Sequence, residues 1–217
     1  MRTIQEVTER IVAQTPFWIE AMDDKLLNLS SLARKIQPQV EEELMKKVNT
    51  GAITIALNRM PTGANAKMKR NIQKFIEKLG DLTVKSDICD FTYSQSPTLA
   101  AKIAKVITNA SSQGGFFTVS DGVAEVTIVA SNSLRLIILD GMKQEKLINE
   151  QDKLASITLN LPKKNIEQSG IYYFILRQFA WANINIVEVI STTNEITLVL
   201  NQDDINAAFV KLMEMKK

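Results

Sequence analysis

The chain has 217 residues, 45% hydrophobic and 23% charged, with a formal net charge of +2; this is the balance of an ordinary globular protein of one large or two to three small domains. It contains no histidine and one cysteine, Cys89, which excludes imidazole acid–base catalysis, Ser-His and Cys-His pairs, an internal disulfide and most zinc and copper sites. No apolar run approaches the roughly 20 residues of a membrane helix, and the charged start MRTIQEVTER lacks the apolar stretch of a secretory signal, so a cytoplasmic protein without a membrane span, metal or cofactor is expected.

Residues 1–80 read as helical and are the basic part of the chain, with 13 Lys/Arg against 9 Asp/Glu, a net of +4. Thr3 is placed to cap a helix carrying Ile4, Val7, Ile11 and Val12 at helical spacing. Pro16 opens a second, short helix. Ser30 or Ser31 caps a third, with Leu32, Ala33 and Ile36 on one face. Pro38 cannot sit deep in a helix, so the spacing predicts a new helix opening there and carrying Val40, Leu44 and Val48. Asn49-Thr50-Gly51 is a turn and cap signal before a helix with Ile53, Ala56, Leu57 and Met60, which Pro61 stops. Residues 66–79 form a basic amphipathic pattern with Gly80 as its C-cap.

After Gly80 the rhythm changes. Leu82, Val84, Ile88 and Phe91 predict extended structure, and residues 97–110 a helix ended by Gly114-Gly115. GFFTV and VAEVTIVA flank Ser120-Asp121-Gly122 as a hairpin. SNSLRLIILDGM reads as a short helix. EKLINEQDKLASITLNLP reads as a strand, a polar break and a second strand. Residues 169–182 are helical, 184–190 and 195–200 are strands, and 203–215 is a closing helix. Glu125-Val-Thr-Ile-Val echoes Glu195-Ile-Thr-Leu-Val, and each follows a helix that opens with a serine, Ser96-Pro97 or Ser169-Gly170. Two tandem copies of one small α+β unit are expected. Little chain follows the last helix, so the second copy's final strand is missing or comes from another segment.

The expected fold class is therefore α+β. A small helical domain over 1–80 is followed by two ferredoxin-like (βαββαβ) units, over 82–150 and 151–217.

The stretch Gly170-Ile171, Ala182-Asn183-Ile184-Asn185-Ile186, Ile190-Ser191-Thr192-Thr193 and Asn194-Glu195-Ile196 resembles the ACT domain family, in particular the regulatory tandem ACT domains of aspartokinases. The match covers about 50 residues, and residues 82–150 follow the same order of elements more loosely. The resemblance implies a non-catalytic regulator that binds a small ligand, an amino acid, and pairs as a homodimer through its ACT-type units. It implies a ligand seat in which Gln168, Ser169, Gly170 and Ile171 form the loop and helix start, while Asn183, Ile184 and Asn185 approach from the partner unit. A helix's first turn, with its free N–H groups and positive dipole end, suits a carboxylate, and glycine lets a ligand approach the backbone. The kinases themselves carry a large catalytic domain with a Lys-Phe-Gly-Gly opening. Nothing of that kind precedes residue 82, so kinase activity is not expected. Ser169 also stands where the family often has proline.

Plainer readings stand beside these. Ile171, Phe174, Ile175 and Leu176 pack on a sheet whatever the function, and Asn183 is suited to end a helix. Glu41-Glu42-Glu43 reads as a solvated helix face, and Asp203-Asp204 as an anionic first turn rather than a metal site. The basic N-terminal region also fits a helix-turn-helix, with Ala52 to Met60 as the reading helix and Arg34, Lys35, Arg59, Lys67, Lys69 and Arg70 as DNA phosphate contacts. Three functions remain open: a metabolite sensor, a DNA-binding regulator with an effector half, and a dimerisation scaffold without ligand.

Overall fold

Thr3 opens the first helix as its side chain predicts. In the computed structural model, which describes residues 2–61, 71–162 and 168–216, Glu6 N donates to Thr3 Oγ1 at 3.2 Å and Thr3 N donates to the Glu6 carboxylate at 2.8 Å. This capping box begins α1 (Ile4–Ala13). Three more helices follow: α2 (Pro16–Asp23), α3 (Leu29–Leu44) and α4 (Thr50–Arg59). They belong to a compact unit spanning Met1–Gln73. Its core is Val7, Ile11, Leu32, Ile36, Val40, Ile53 and Leu57 with their neighbours.

Pro38 does not begin a helix. It lies inside α3, which is capped by Asn28 (Ser31 N to Asn28 Oδ1, 3.0 Å) rather than by Ser30 or Ser31. An interior proline removes one backbone hydrogen bond at roughly 3 kcal/mol. Here the apolar stripe Leu32, Ala33, Ile36 and Val40 runs in register across it, and Pro38 itself faces solvent. Burial of that stripe outweighs the local penalty.

The carboxylates at the end of α3 are not a solvated face either. Glu41 accepts from Val48 N at 3.0 Å and from Lys47 at 3.2 Å, which pins the turn into α4. The Val48 amide is the main reason its pKa falls below the ordinary carboxylate value. Glu43 is ion-paired with Arg10 of α1. Only Glu42 of the three is exposed.

Of the helix expected over 66–79, residues 66–70 lie outside the described residues, and 71–76 are helical. Gly80 is not a left-handed cap. Its N–H donates to Asn160 O at 2.9 Å, and a Cβ there would lie 2.9 Å from that of Asn160. Glycine is required by close approach.

The second compact unit, Lys74–Lys217, is a mixed α/β structure with one antiparallel six-stranded sheet. Its elements are β1 (Leu82–Ser94), α5 (Leu99–Gln113), β2 (Phe117–Asp121), β3 (Glu125–Ser131), α6 (Arg135–Gly141), β4 (Leu147–Asn160), α7 (Ile171–Trp181), β5 (Ile186–Ser191), β6 (Glu195–Asn201) and α8 (Ile205–Met215). The strand order is β2-β3-β1-β4-β6-β5. It reads the same from either edge once β1, β2 and β3 are exchanged for β4, β5 and β6.

Main-chain bonds repeat with it: Ser94 N to Lys146 O (2.9 Å) matches Asn160 N to Asp81 O (3.3 Å), and Gln95 N to Ala124 O (3.0 Å) matches Leu161 N to Asn194 O (2.7 Å). Even the cross-strand threonine pairs correspond, Thr92 with Thr127 and Thr158 with Thr197. This unit thus has two lobes, each β-α-β-β-α, and the repeated glutamates Glu125 and Glu195 start both inner hairpin strands.

EKLINEQDKLASITLNLP contains one strand, not two. The polar residues 149–153 lie within β4, and the expected boundary at 150/151 falls inside it. Residues 88–94 of β1 pair with β3, while residues 82–85 pair with Ser156–Leu159 of β4. Residues 154–160 of β4 pair with β6, while Leu147–Gln151 pair with β1. Each long strand is therefore the first strand of its own lobe and the fourth strand of the other. Between its two tasks each shifts register, and Asp87 (φ 57°) and Lys153 (φ 55°) take left-handed conformations there. An extra residue switches which parity faces the helices, so alternation breaks and mimics a loop. Cys89, Phe91 and Tyr93 join Leu99, Val106, Ile128 and Ile138 in the first lobe's core. Cys89 is fully buried, and burial raises its thiol to about 11, as suits a structural cysteine. Ile88, Val129, Leu154 and Val199 form a small cluster of symmetry-related pairs on the opposite face.

Candidate functional site

Helix α7 separates the two predicted seams. Gln168, Ser169, Gly170 and Ile171 gather at its start, where Gly170 has φ 88°, a conformation few side chains tolerate. Ser169 is exposed, but Ile171 is buried, so only its backbone is available to a ligand. Among the described residues no side chain caps this helix, and its first turn carries no acidic residue. Tyr172 reaches from the first turn to Ser191 at the end of β5, with a 2.6 Å hydroxyl–hydroxyl bond. Tyr172 and Tyr173 are both partly exposed.

Asn183, Ile184 and Asn185 lie at the other end. Asn183 has φ 56° and donates its N–H to Ala180 O at 3.1 Å, while Ile184 N donates to Phe179 O at 2.9 Å. This pair of bonds is a Schellman stop, which explains Asn183 without a ligand. Ile184 is buried. With 11 residues in α7, the two seams stand about 16 Å apart at 1.5 Å per residue. One small ligand cannot touch both within a single chain.

The equivalent position in the first lobe is filled by a side chain. Glu145 precedes β4 and reaches the start of α5. It accepts from Ser96 Oγ at 2.6 Å, Thr98 Oγ1 at 2.7 Å and Lys102 Nζ at 2.9 Å, with its side chain 4% exposed. Lys102 above all, then Ser96 and Thr98, hold its carboxyl down to about 2. Sequence reading passed over Glu145, because nothing local marks it: its partners lie more than 40 residues away.

A cleft of about 520 Å³ was also missed. It is lined by Arg135, Glu150, Gln151, Asp152, Leu154, Asn185, Val187, Asn201 and Asp204. Among the predicted site residues, Asn185 lines it. Arg135 is ion-paired with Glu150 across it and lies 5.5 Å from the ring centre of Phe91. The signal was the polar run 149–153, read as a break. Among the described residues no cluster suited to a metal ion occurs, and Asp203-Asp204 stand in the turn that leads into α8.

Beside this cleft, Asp90 is 2% exposed and its Oδ2 has no hydrogen-bond partner. Burial, then the charge of Glu188, raises its pKa to about 6, against a smaller lowering by Thr92. Burial raises Glu188 as well. A raised carboxylate keeps its proton longer in the folded chain than in the unfolded one. The resulting penalty is absent below the ordinary value of 3.8 and complete above about 6. Stability should therefore fall as pH rises through that window, and Asp90→Asn should remove the part of the slope that Asp90 contributes. At pH 7 we expect the variant to be more stable by about 1–2 kcal/mol. Urea unfolding at a series of pH values measures this, and parallel pH profiles for the two proteins would refute it.

In the N-terminal unit, Arg34 and Lys35 are exposed on α3, and Arg34 bonds to Ser31 at 3.0 Å. Arg59 ends α4 and shares a cleft of about 480 Å³ with Arg2 and Lys46. Arg34 and Lys35 do not line it. Asn58, on the helix expected to read DNA, donates back to Thr54 O of its own helix at 2.9 Å. Lys67, Lys69 and Arg70 lie outside the described residues.

No protein-family model matches the chain, and no curated protein matches it in sequence. Solved structures do match its fold. The regulatory subunit of aspartate kinase from Thermus thermophilus, in its ligand-free form, aligns with a TM-score of 0.53 at 11% identity, over 64% of this chain and 99% of that one. The corresponding subunit from Thermus flavus gives 0.52 at 11%, over 64% and 99%. Aspartate kinase from Clostridium acetobutylicum gives 0.53 at 14%, over 63% of this chain. The alignment spans 34% of that enzyme's length. At these identities the likeness is one of fold. No helix among the described residues is long and apolar enough to cross a membrane.

Proposed function

We propose that the chain is a non-catalytic regulatory protein that binds an amino acid or a similar small metabolite through two ACT-type, ferredoxin-like units built from its two lobes. The observation that carries this reading is the start of α7. A glycine at φ 88° opens an 11-residue helix with no first-turn acid and, among the described residues, no capping side chain. Such a helix start offers backbone N–H groups and a positive dipole end to a ligand carboxylate. Likeness of fold to regulatory subunits of aspartate kinase supports the reading.

The spacing along α7 supports a seat shared between two copies. Gln168 to Ile171 supply one side of the seat. Asn183 and Asn185 supply side-chain amides, and Ile184 its backbone, from a second copy, because their own copy holds them too far away. Ligand and dimer are then linked: binding favours one arrangement of the paired lobes, and that bias is the regulatory output. The N-terminal unit is the receiving partner in this scheme. A DNA-reading role is the weaker alternative, since Asn58 is turned back on α4 and, among the described basic residues, Arg34 and Lys35 do not line the cleft that holds Arg59.

A thermal-shift screen of the amino acids tests the proposal. One or a few should raise Tm, and at a hundred times Kd the gain is about 2.7 kcal/mol, or several degrees for a protein of this size. A flat response across all of them would sink the sensor reading and leave a dimerisation scaffold.

A further inference from the structure

The two lobes match element for element, yet they differ at one point that matters for ligands. Main-chain bonds align Lys146 with Asp81 and Ser94 with Asn160. Counting back one residue aligns Glu145 with Gly80. In the first lobe this position sends a carboxylate to the start of α5, where two hydroxyls and an ammonium converge on it. In the second lobe it is a glycine, kept so by the Asn160 side chain. Among the described residues a cation near it is Lys216, whose Nζ lies 2.9 Å from Gly80 O.

We propose that Glu145 is a tethered occupant of a carboxylate seat. The first lobe carries its own carboxylate, whereas the second lobe has Gly80 at the matching position, and removing the Glu145 side chain turns the first lobe into a binding site for a free short monocarboxylate. The seat is more than a helix start. Ser96 and Thr98 each donate a hydroxyl, Lys102 supplies the charge, and the bound carboxylate is 4% exposed. Charge-assisted bonds of this kind are the strong class, and each loses its acceptor if the carboxylate leaves. What the proposal says of the second lobe rests on the reading above; what it says of the first lobe does not. In the wild-type chain it makes the lobes unequal, with the external carboxylate bound in the second alone.

Chemical rescue of Glu145→Ala in the full chain decides it. In sodium chloride its Tm should fall by several degrees. Sodium acetate or propionate at equal ionic strength should restore at least half of that loss. Wild type should gain no more from acetate than from chloride, and adding Lys102→Met to the variant should abolish the rescue. Acetate acting no better than chloride on Glu145→Ala would overturn the proposal. If that variant is recovered unfolded, refolding in the two salts decides the matter instead: folded protein from acetate alone supports the seat, and equal failure in both salts overturns it. The amino-acid response of wild type is a separate measurement, so either idea can fall without the other.

Discussion

The fragment 151–217 is expected to be unfolded, whereas 74–217 folds. The fragment has 67 residues (217 − 150), a size at which a single core is marginal even when complete. It would not be complete. Its β4 would begin at Gln151 and would lose the pairing of Ser156–Leu159 with residues 82–85 of β1. The row Ala155, Ile157 and Leu159, buried in the intact chain, would then lie on an open strand edge. The first lobe is treated differently by the same cut. A fragment 82–150 keeps β1, β2, β3 and most of the stretch Leu147–Gln151 that serves as its fourth strand. Its loss is confined to an unpaired β1 start. Circular dichroism and amide dispersion would show the contrast. A cooperative unfolding transition from 151–217 alone would mean that the shared strands are not what holds the second lobe together.

That asymmetry was half legible in the sequence. The Glu125 and Glu195 echo and the two serine-led helices disclosed a repeat, while the shortage of chain after the last helix left open whether the second copy's final strand is missing or supplied by another segment. The lender was hidden. A strand that changes lobes midway needs a bulge, and a bulge breaks the two-residue period that marks a strand. Asn149 to Lys153 look like loop residues for that reason. Pro38 misled in the opposite direction, because a rule about one backbone hydrogen bond was set against burial of a whole helix face. Glu41 and Glu43 show a further limit. Three glutamates in a row read as solvated until the turn amide at Val48 and Arg10 of α1 are brought to them by the fold. Glu145 is the same case with functional weight. The chemistry of a seat made by residues 96, 98, 102 and 145 cannot be seen at any sequence spacing.

Gly170→Val is expected to abolish the amino-acid-induced rise in Tm while leaving the far-UV spectrum intact. Two effects act together. Valine at φ 88° is strained by about 1–2 kcal/mol, which shifts the loop away from its geometry. Its branched side chain also fills the space through which a carboxylate would approach the first-turn N–H groups. Two companions separate these causes. Gly170→Asn tolerates the left-handed conformation better than valine does, so it should fold with little loss and bind weakly, through bulk alone. Tyr172→Phe removes the 2.6 Å bond to Ser191 but leaves the backbone free, and its ligand response should persist. If Gly170→Val and Gly170→Asn both retain the full response, the backbone of α7 is not the seat. The ligand would then belong to the cleft lined by Arg135, Asp152, Asn185 and Asp204, where charged side chains rather than helix amides would select it.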